Sequence, residues 1–521
     1  MHIFSLGCRH HNKRQYSSTQ TLVLSISDKI CVIIFGSYFW IGYAFMLFNS
    51  YEFIVLVAFT LCVYYTPYVY RRGWQVHVLI VTSFIFYAYG QPWLLLLLII
   101  SASLNAFVSY QVEFSATLSR KYLYALAGVV VNLGILIGFK YSPLFGRVLE
   151  YYTSLSSVGA FLIAVPLPIG ISFYTFQGIS LVVDLYRYSH TDSGHLREIS
   201  WVDRNFFTHY RKTLFFIAFF PQLVAGPILK AREFYPQIHT KLVSNIAWSG
   251  AFKIIIIGYF LKIVIADNLK DQTFWMTYPY FEVYNTLTLL VLLLGYSVQI
   301  FADFAGYSLI AIGVAKLFGY ALPKNFNFPY IARSFSEFWT RWHISLSTWL
   351  KEYLYIPLGG NKKGKFRTYC NLMVVMTLGG LWHGAALSYM VWGLYHGMLL
   401  VIERFASQCI HFRECLLTHI IQICLVFGFV SLGWLFFKLN NFSDAVSYLN
   451  QTFIVRSGAT GSGILFCVLL YSLPVGLYYI NHLLTLKYQK NFLDRNVVYA
   501  ILLFFIVTNS GGSNAFIYFQ F

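Results

Sequence analysis

Residues 338–384 read FWTRWHISLSTWLKEYLYIPLGGNKKGKFRTYCNLMVVMTLGGLWHG. In the first half, helical spacing sets Arg341, Ser345, Thr348 and Glu352 on one polar stripe. Trp339, His343, Leu346, Trp349 and Tyr353 share the neighbouring apolar face. The pattern predicts that His343 rides an amphipathic, aromatic-rich helix. A basic turn follows, with Lys362, Lys363 and Lys365, and then an apolar run that ends in Gly379-Gly-Leu-Trp-His383-Gly384. Residues that small leave the second histidine, His383, open to a neighbouring backbone or a ligand.

The composition around this stretch excludes a soluble surface. Of 521 residues, 58% are hydrophobic and only 11% charged, which describes a polytopic membrane protein. The formal charge of +18 fits Lys and Arg held in short cytoplasmic loops, so the lipid bilayer is the expected partner and nucleic acid is not. The eight cysteines include no CxxC pair and mostly fall in apolar runs, so neither a disulfide framework nor a metal site is expected.

Apolar runs cover residues 53–65, 76–89, 93–108, 122–139, 214–224, 246–266, 287–301, 307–318, 387–402, 420–437, 464–480 and 497–507. A crossing helix needs about 20 residues, so between about ten and thirteen spans are expected, some of them short or re-entrant. The run 158–183 contains Pro166 and Pro168. Each removes a backbone donor and obstructs helical continuation, so this segment is expected to split or bend. Residues 1–29 are polar and basic, and the apolar 30–48 that comes next is marginal as a span. A better membrane segment begins at Met46. Residues 1–45 therefore read as an extension, either an added anchor or an early start of translation, and residues 46–521 as a single transmembrane domain.

Ionisable groups at membrane depth need partners or a wet cavity. Asp303, in QIFADFAGY, lies between two apolar runs with too little polar sequence for a loop. It either bonds a neighbouring helix, with Arg341 as one candidate partner, or takes part in chemistry. His343 and His383 have two readings as well: satisfied core side chains, or imidazoles serving as a general base in a low-dielectric cavity. His396 is a weaker third. No GxSxG elbow or HExxH motif is present. Residues 359–365 fit the first seven positions of a phosphate loop, but Phe366 stands where Ser or Thr is required, so they read as a basic cytoplasmic turn. Lys362, Lys363 and Lys365 there would still attract an anionic donor.

Several stretches together resemble a known family. They are LPIGISFYTFQGISLVVDLYR (167–187), FFPQLVAGPI (219–228), YSVQIFADFAGYSLIAIG (296–313), LPKNFNFPY (322–330), FWTRWHISLSTWLKEYLYIPLGG (338–360), GGLWHG (379–384) and the terminal FIYFQF (516–521). In this order they are similar to the membrane-bound O-acyltransferases, in particular the alginate O-acetylation branch. The resemblance implies an all-α, many-helix membrane core with a central tunnel and broken helices. It makes His383 the catalytic histidine and His343 the second functional one; Asp303, Gln299 and Arg341 are the expected supporting residues around them. Tyr518 matches a tyrosine regarded in related transferases as a transient acyl carrier; an aromatic interface anchor is the other reading. Thr340 departs from the arginine frequent at its position.

The same resemblance implies a cytoplasmic acyl donor, acetyl-CoA or a similar thioester, and no bound cofactor. It also implies a multi-pass protein of the bacterial inner membrane and a periplasmic or extracellular acetyltransferase as partner. The acetyl group would reach an exported polysaccharide or peptidoglycan; D-alanylation of teichoic acid fits less well. Competing readings are a transporter lined by the broken helix, or a scaffold for a soluble acetyltransferase.

Overall fold

The computed structural model describes residues 46–90, 92–152, 156–189, 201–224, 226–409, 415–439, 441–455 and 457–511. Contacts divide the chain into Met1–Phe45 and Met46–Phe521. Residues 1–45 and Tyr518 lie outside the described part, so every helix named below belongs to the second unit.

The described residues form helices and connecting turns. The principal helices begin with α1 (Tyr51–Tyr64), α2 (Gln75–Gly90), α3 (Leu94–Phe114), α4 (Leu118–Lys140), α5 (Ser142–Tyr152), α6 (Ser156–Ala164), α7 (Ile171–Ser189) and α8 (Phe206–Ala218). After a long irregular stretch come α9 (Trp248–Met276) and α10 (Thr286–Leu317). The aromatic-rich segment around His343 and the apolar run to His383 supply α11 (Phe335–Arg341), α12 (Ile344–Leu350) and α13 (Lys365–His383). The chain closes with α14 (Leu387–Cys409), α15 (Leu416–Lys438), α16 (Ser462–Tyr488) and α17 (Asn496–Thr508). Side-chain caps mark several starts: Ser50 accepts from Phe53 N–H, Asn205 from Phe207 and Thr208, and Asn285 from Thr288. Each satisfies a donor the first turn would leave bare.

Six of these helices, α3, α4, α9, α10, α15 and α16, are long and apolar enough to cross a membrane, and α1, α2 and α17 are shorter apolar helices. The ten to thirteen spans expected included short ones; among the described residues nine helices are apolar in this sense, and several of the expected runs break or end early. The run 158–183 parts into α6 and α7 around Pro166 and Pro168, as expected. The run 214–224 is no single helix: α8 stops at Ala218, Phe220–Leu223 forms a separate single turn, and residues 226–230 are irregular, all buried in protein. Backbone of this kind is stable away from water only when its polar groups find partners. Here Phe220 N–H donates to Ser83 Oγ (3.1 Å) and Ile228 N–H to Ser345 Oγ (2.9 Å). The runs 287–301 and 307–318 are one continuous helix, α10, with Asp303 inside it.

α10 is the central pillar, with 78% of its most apolar window buried, against 22% for α4 and for α16. The outward faces of those two carry Leu123, Val130, Ile137, Phe466, Leu469, Leu473 and Ile480, a surface suited to lipid. α9 crosses α10 at Gly258 and Gly306, where a methyl on either glycine would press on the other's carbonyl oxygen (2.9 and 2.8 Å). α3 and α4 are joined by a reciprocal amide pair, Asn105 to Asn132 (3.1 Å) and back (2.8 Å).

Candidate active site

The helix predicted through His343 is broken at that residue. α11 ends at Arg341, Trp342 is extended, and His343 takes the left-handed conformation (φ 43°, ψ 55°) before α12 starts at Ile344. A side chain rarely adopts such a backbone without outside support. Support comes from the LPKNFNFPY stretch: Ile344 N–H donates to the Asn325 carbonyl (2.9 Å), and Ser345 donates to Asn325 Oδ1 through both N–H (3.3 Å) and Oγ (3.0 Å). Asn327 N–H donates to the Arg341 carbonyl (2.9 Å), closing the other side of the kink. Hydrophobic periodicity carries no information about a single residue's φ, so this break is not legible in the sequence. The paired asparagines of the motif are the available signal.

His383 is the last residue of α13, and Gly384 leaves the helix fully extended. The glycines flanking it have steric causes. A methyl on Gly380 would collide with the Tyr389 carbonyl oxygen of α14, and one on Gly384 with the Tyr389 ring. α13 and α14 thus meet backbone to backbone just where the histidine emerges.

The break at His343 and the end of α13 converge. The two imidazole centres are 6.3 Å apart, with His343 1% and His383 4% exposed. Trp382, Trp392 and Phe437 surround His383 at 5.0, 5.2 and 5.3 Å, while Phe304 of α10 lies edge-on to His343 at 4.6 Å. A small substrate group between the rings would touch both in a site largely screened from bulk water. A neutral imidazole there can take a proton from a hydroxyl, and the aromatic walls exclude competing water. His396 is also buried, at 4.9 Å from Trp392 and 5.2 Å from Trp339, behind the pair.

Asp303 forms an ion pair with Lys262 of α9 (2.8 Å), which also reaches Asp267 (2.7 Å). The partner is therefore Lys262, and the pairing with Arg341 raised from the sequence is not the one formed: Arg341 bonds Glu337 (2.8 Å) and the Asn327 carbonyl (3.1 Å). Gln299 accepts from Thr273 Oγ1 (2.6 Å). The residue after Asp303, Phe304, is the one packed on His343. Sequence reasoning misses Lys262; its one signal is that it is a charge deep in the apolar run 246–266, nine residues beyond Lys253.

A row of rings leads away from the histidines: Trp382 to Phe176 (5.5 Å), Phe176 to Trp349 (3.7 Å, nearly parallel) and Trp349 to Tyr353 (5.1 Å). At its far end Tyr353 donates to Asp184 (2.8 Å), and Glu352 binds Lys230 (2.9 Å) and Arg232 (2.7 Å). Burial raises the Glu352 carboxyl, but the bonds and charges of Lys230 and Arg232 outweigh it and hold the group below its usual range. Lys362, Lys363 and Lys365 are exposed on the next turn, with Lys365 donating to Gln408 (2.6 Å). Among the described residues no cluster of three or more His, Cys, Asp or Glu side chains is placed to hold a metal ion.

The fold and site are those of an all-α polytopic membrane protein in which two buried histidines meet, one at a break between helices and one at a helix end. A model of the MBOAT, membrane-bound O-acyltransferase family matches residues 167–443. The chain belongs to that family and is an acyltransferase. It is 36% identical over 374 residues to the probable alginate O-acetylase AlgI of Pseudomonas aeruginosa, covering 71% of this chain and 68% of that one. It is 35% identical to the peptidoglycan O-acetyltransferase of Helicobacter pylori over 71% of this chain and 72% of that one. The teichoic acid D-alanyltransferase of Bacillus subtilis is 31% identical over 52% of this chain and 68% of that one.

Proposed function

We propose that this protein moves an acetyl group from a cytoplasmic thioester, acetyl-CoA or a similar donor, across the bacterial inner membrane for O-acetylation of an exported, alginate-like polysaccharide. The observation that carries the reading is the convergence of His343 and His383, 6.3 Å apart and buried, in a chain of this family. His383 acts as general base: an accepting hydroxyl gives its proton to an imidazole nitrogen as its oxygen bonds the thioester carbonyl carbon. When the tetrahedral adduct collapses the carbon–sulfur bond breaks, and the thiolate leaves with the proton that His383 returns. His343 orients the donor or stabilises the developing oxyanion. The thioester approaches from the side of Lys362, Lys363 and Lys365, along a tunnel that ends between the rings. Tyr518 carries the acetyl group transiently as a phenyl ester, and a periplasmic or extracellular acetyltransferase receives it and places it on the polymer.

The test is transfer from labelled acetyl-CoA by the purified full chain. The His383→Ala variant is expected to lose about 100-fold or more of the rate at unchanged protein yield. Full activity in that variant would remove the assigned base. Comparing acetyl content of the exopolysaccharide and of the peptidoglycan in cells with and without the gene separates the two acceptors; loss from peptidoglycan alone would replace the polysaccharide reading. Tyr518→Phe that transfers normally would discard the relay.

A further inference from the structure

α13 ends abruptly. A helix leaves its last carbonyls without intrahelical donors, and the usual remedy is a left-handed residue that folds the next N–H groups back over them. Gly384 is extended instead (φ −169°), so the carbonyls beside His383 must be satisfied from elsewhere. Two consecutive residues at the end of α4 do this. Lys140 Nζ donates to the Trp382 carbonyl and to Ser172 Oγ (3.3 Å), and Tyr141 Oη donates to the Leu381 carbonyl (2.6 Å). The Lys140 ammonium also lies 5.6 Å from the Trp382 ring centre.

Lys140 is 8% exposed, and among the described residues no carboxylate pairs with it. A buried ammonium without a counter-ion is costly to keep for packing alone. Its compensation is the negative end of the helix that presents His383, where cations are favoured.

We propose that Lys140 and Tyr141 are positioning residues for acyl transfer: together they clamp the terminal carbonyls of α13 and so fix where the His383 imidazole stands relative to His343. This rests on the acetyl-transfer reading and adds to it two residues that touch neither the other histidine nor the basic turn. A clamp of this kind acts on the chemical step. A base displaced by about 1 Å can cost on the order of 100-fold in rate, while a donor bound elsewhere along its length keeps its affinity.

The experiment measures kcat and KM for labelled acetyl-CoA in the purified full chain and in Lys140→Met, Lys140→Arg, Tyr141→Phe and His383→Ala. Lys140→Met is expected to lower kcat by about 100-fold with KM within about twofold of the parent. Lys140→Arg, which keeps the cation, is expected to recover at least about tenfold of that loss. Tyr141→Phe removes one hydroxyl without changing shape, and is expected to lower kcat by about tenfold at unchanged KM and folded yield. Lys140→Met and Tyr141→Phe turning over like the parent would overturn the clamp. So would a Lys140→Met and Lys140→Arg pair that lose folded protein alike while Tyr141→Phe stays fully active. An inactive parent protein sinks the acetyl-transfer reading itself, and an active parent with a fully active His383→Ala sinks the assignment of the base.

Discussion

At the scale of single residues, His343 serves two ends at once. It offers an imidazole to the site, and it holds a left-handed backbone that L side chains enter only at a cost of about 1–2 kcal/mol. Replacing it by Ala removes the ring and keeps the strain, whereas Gly removes both. His343→Gly is therefore expected to be more stable than His343→Ala by about 1 kcal/mol, with equal loss of acyl transfer. Thermal unfolding of the two variants in the same detergent checks this, and equal midpoints would mean that the kink relaxes once the imidazole is gone. Glu352 gives a pH-dependent counterpart. Its carboxyl is held below the ordinary value of 4.5 by Lys230 and Arg232 despite partial burial, so its contribution to stability is fully present above pH 4.5 and is lost as pH falls through the depressed folded value. Glu352→Gln is expected to flatten that acid-side loss while leaving the stability slope near neutrality unchanged, as measured by unfolding midpoints across a pH series.

Among elements, the α9–α10 pair bears most on the site. α9 widens into a π-helical turn over Phe260–Ala266, a device that often accompanies functional positions, and from it Lys262 meets Asp267 and Asp303 in a buried cluster. Taking away the ammonium would remove the cation that both carboxylates share, a loss of about 3–5 kcal/mol. Lys262→Met is expected to collapse the yield of folded protein, and adding Asp303→Asn and Asp267→Asn to recover much of it. An unchanged yield in the single variant would show that water or lipid headgroups reach the cluster. The amino-acid order announces Asp303 as a charge needing a partner, and it announces both histidines and the split at Pro166 and Pro168. It cannot name the partner, because Lys262 reaches Asp303 only when two helices are packed with Gly258 against Gly306. The kink at His343 and the clamp by Lys140 and Tyr141 are hidden for the same reason: each depends on a contact between segments remote in the chain.

For the molecule as a whole, an excess of Lys and Arg and the six long apolar helices among the described residues set how it lies in the bilayer. The exposed turn of Lys362, Lys363 and Lys365 is expected on the cytoplasmic side. A single cysteine at Lys363, in a background with the native cysteines replaced, should react with an impermeant maleimide in inverted vesicles and not in intact cells. Labelling in intact cells would reverse the direction assigned to acyl transfer. The buried α10 also bears on biosynthesis. A carboxylate at the middle of an isolated hydrophobic helix costs about 2.5–3.5 kcal/mol to insert, but α9 is synthesised first and carries Lys262. The nascent chain would thus hold the cation ready when Asp303 emerges from the ribosome, and the two helices would pass into lipid as a preformed hairpin, their timing set by translation order.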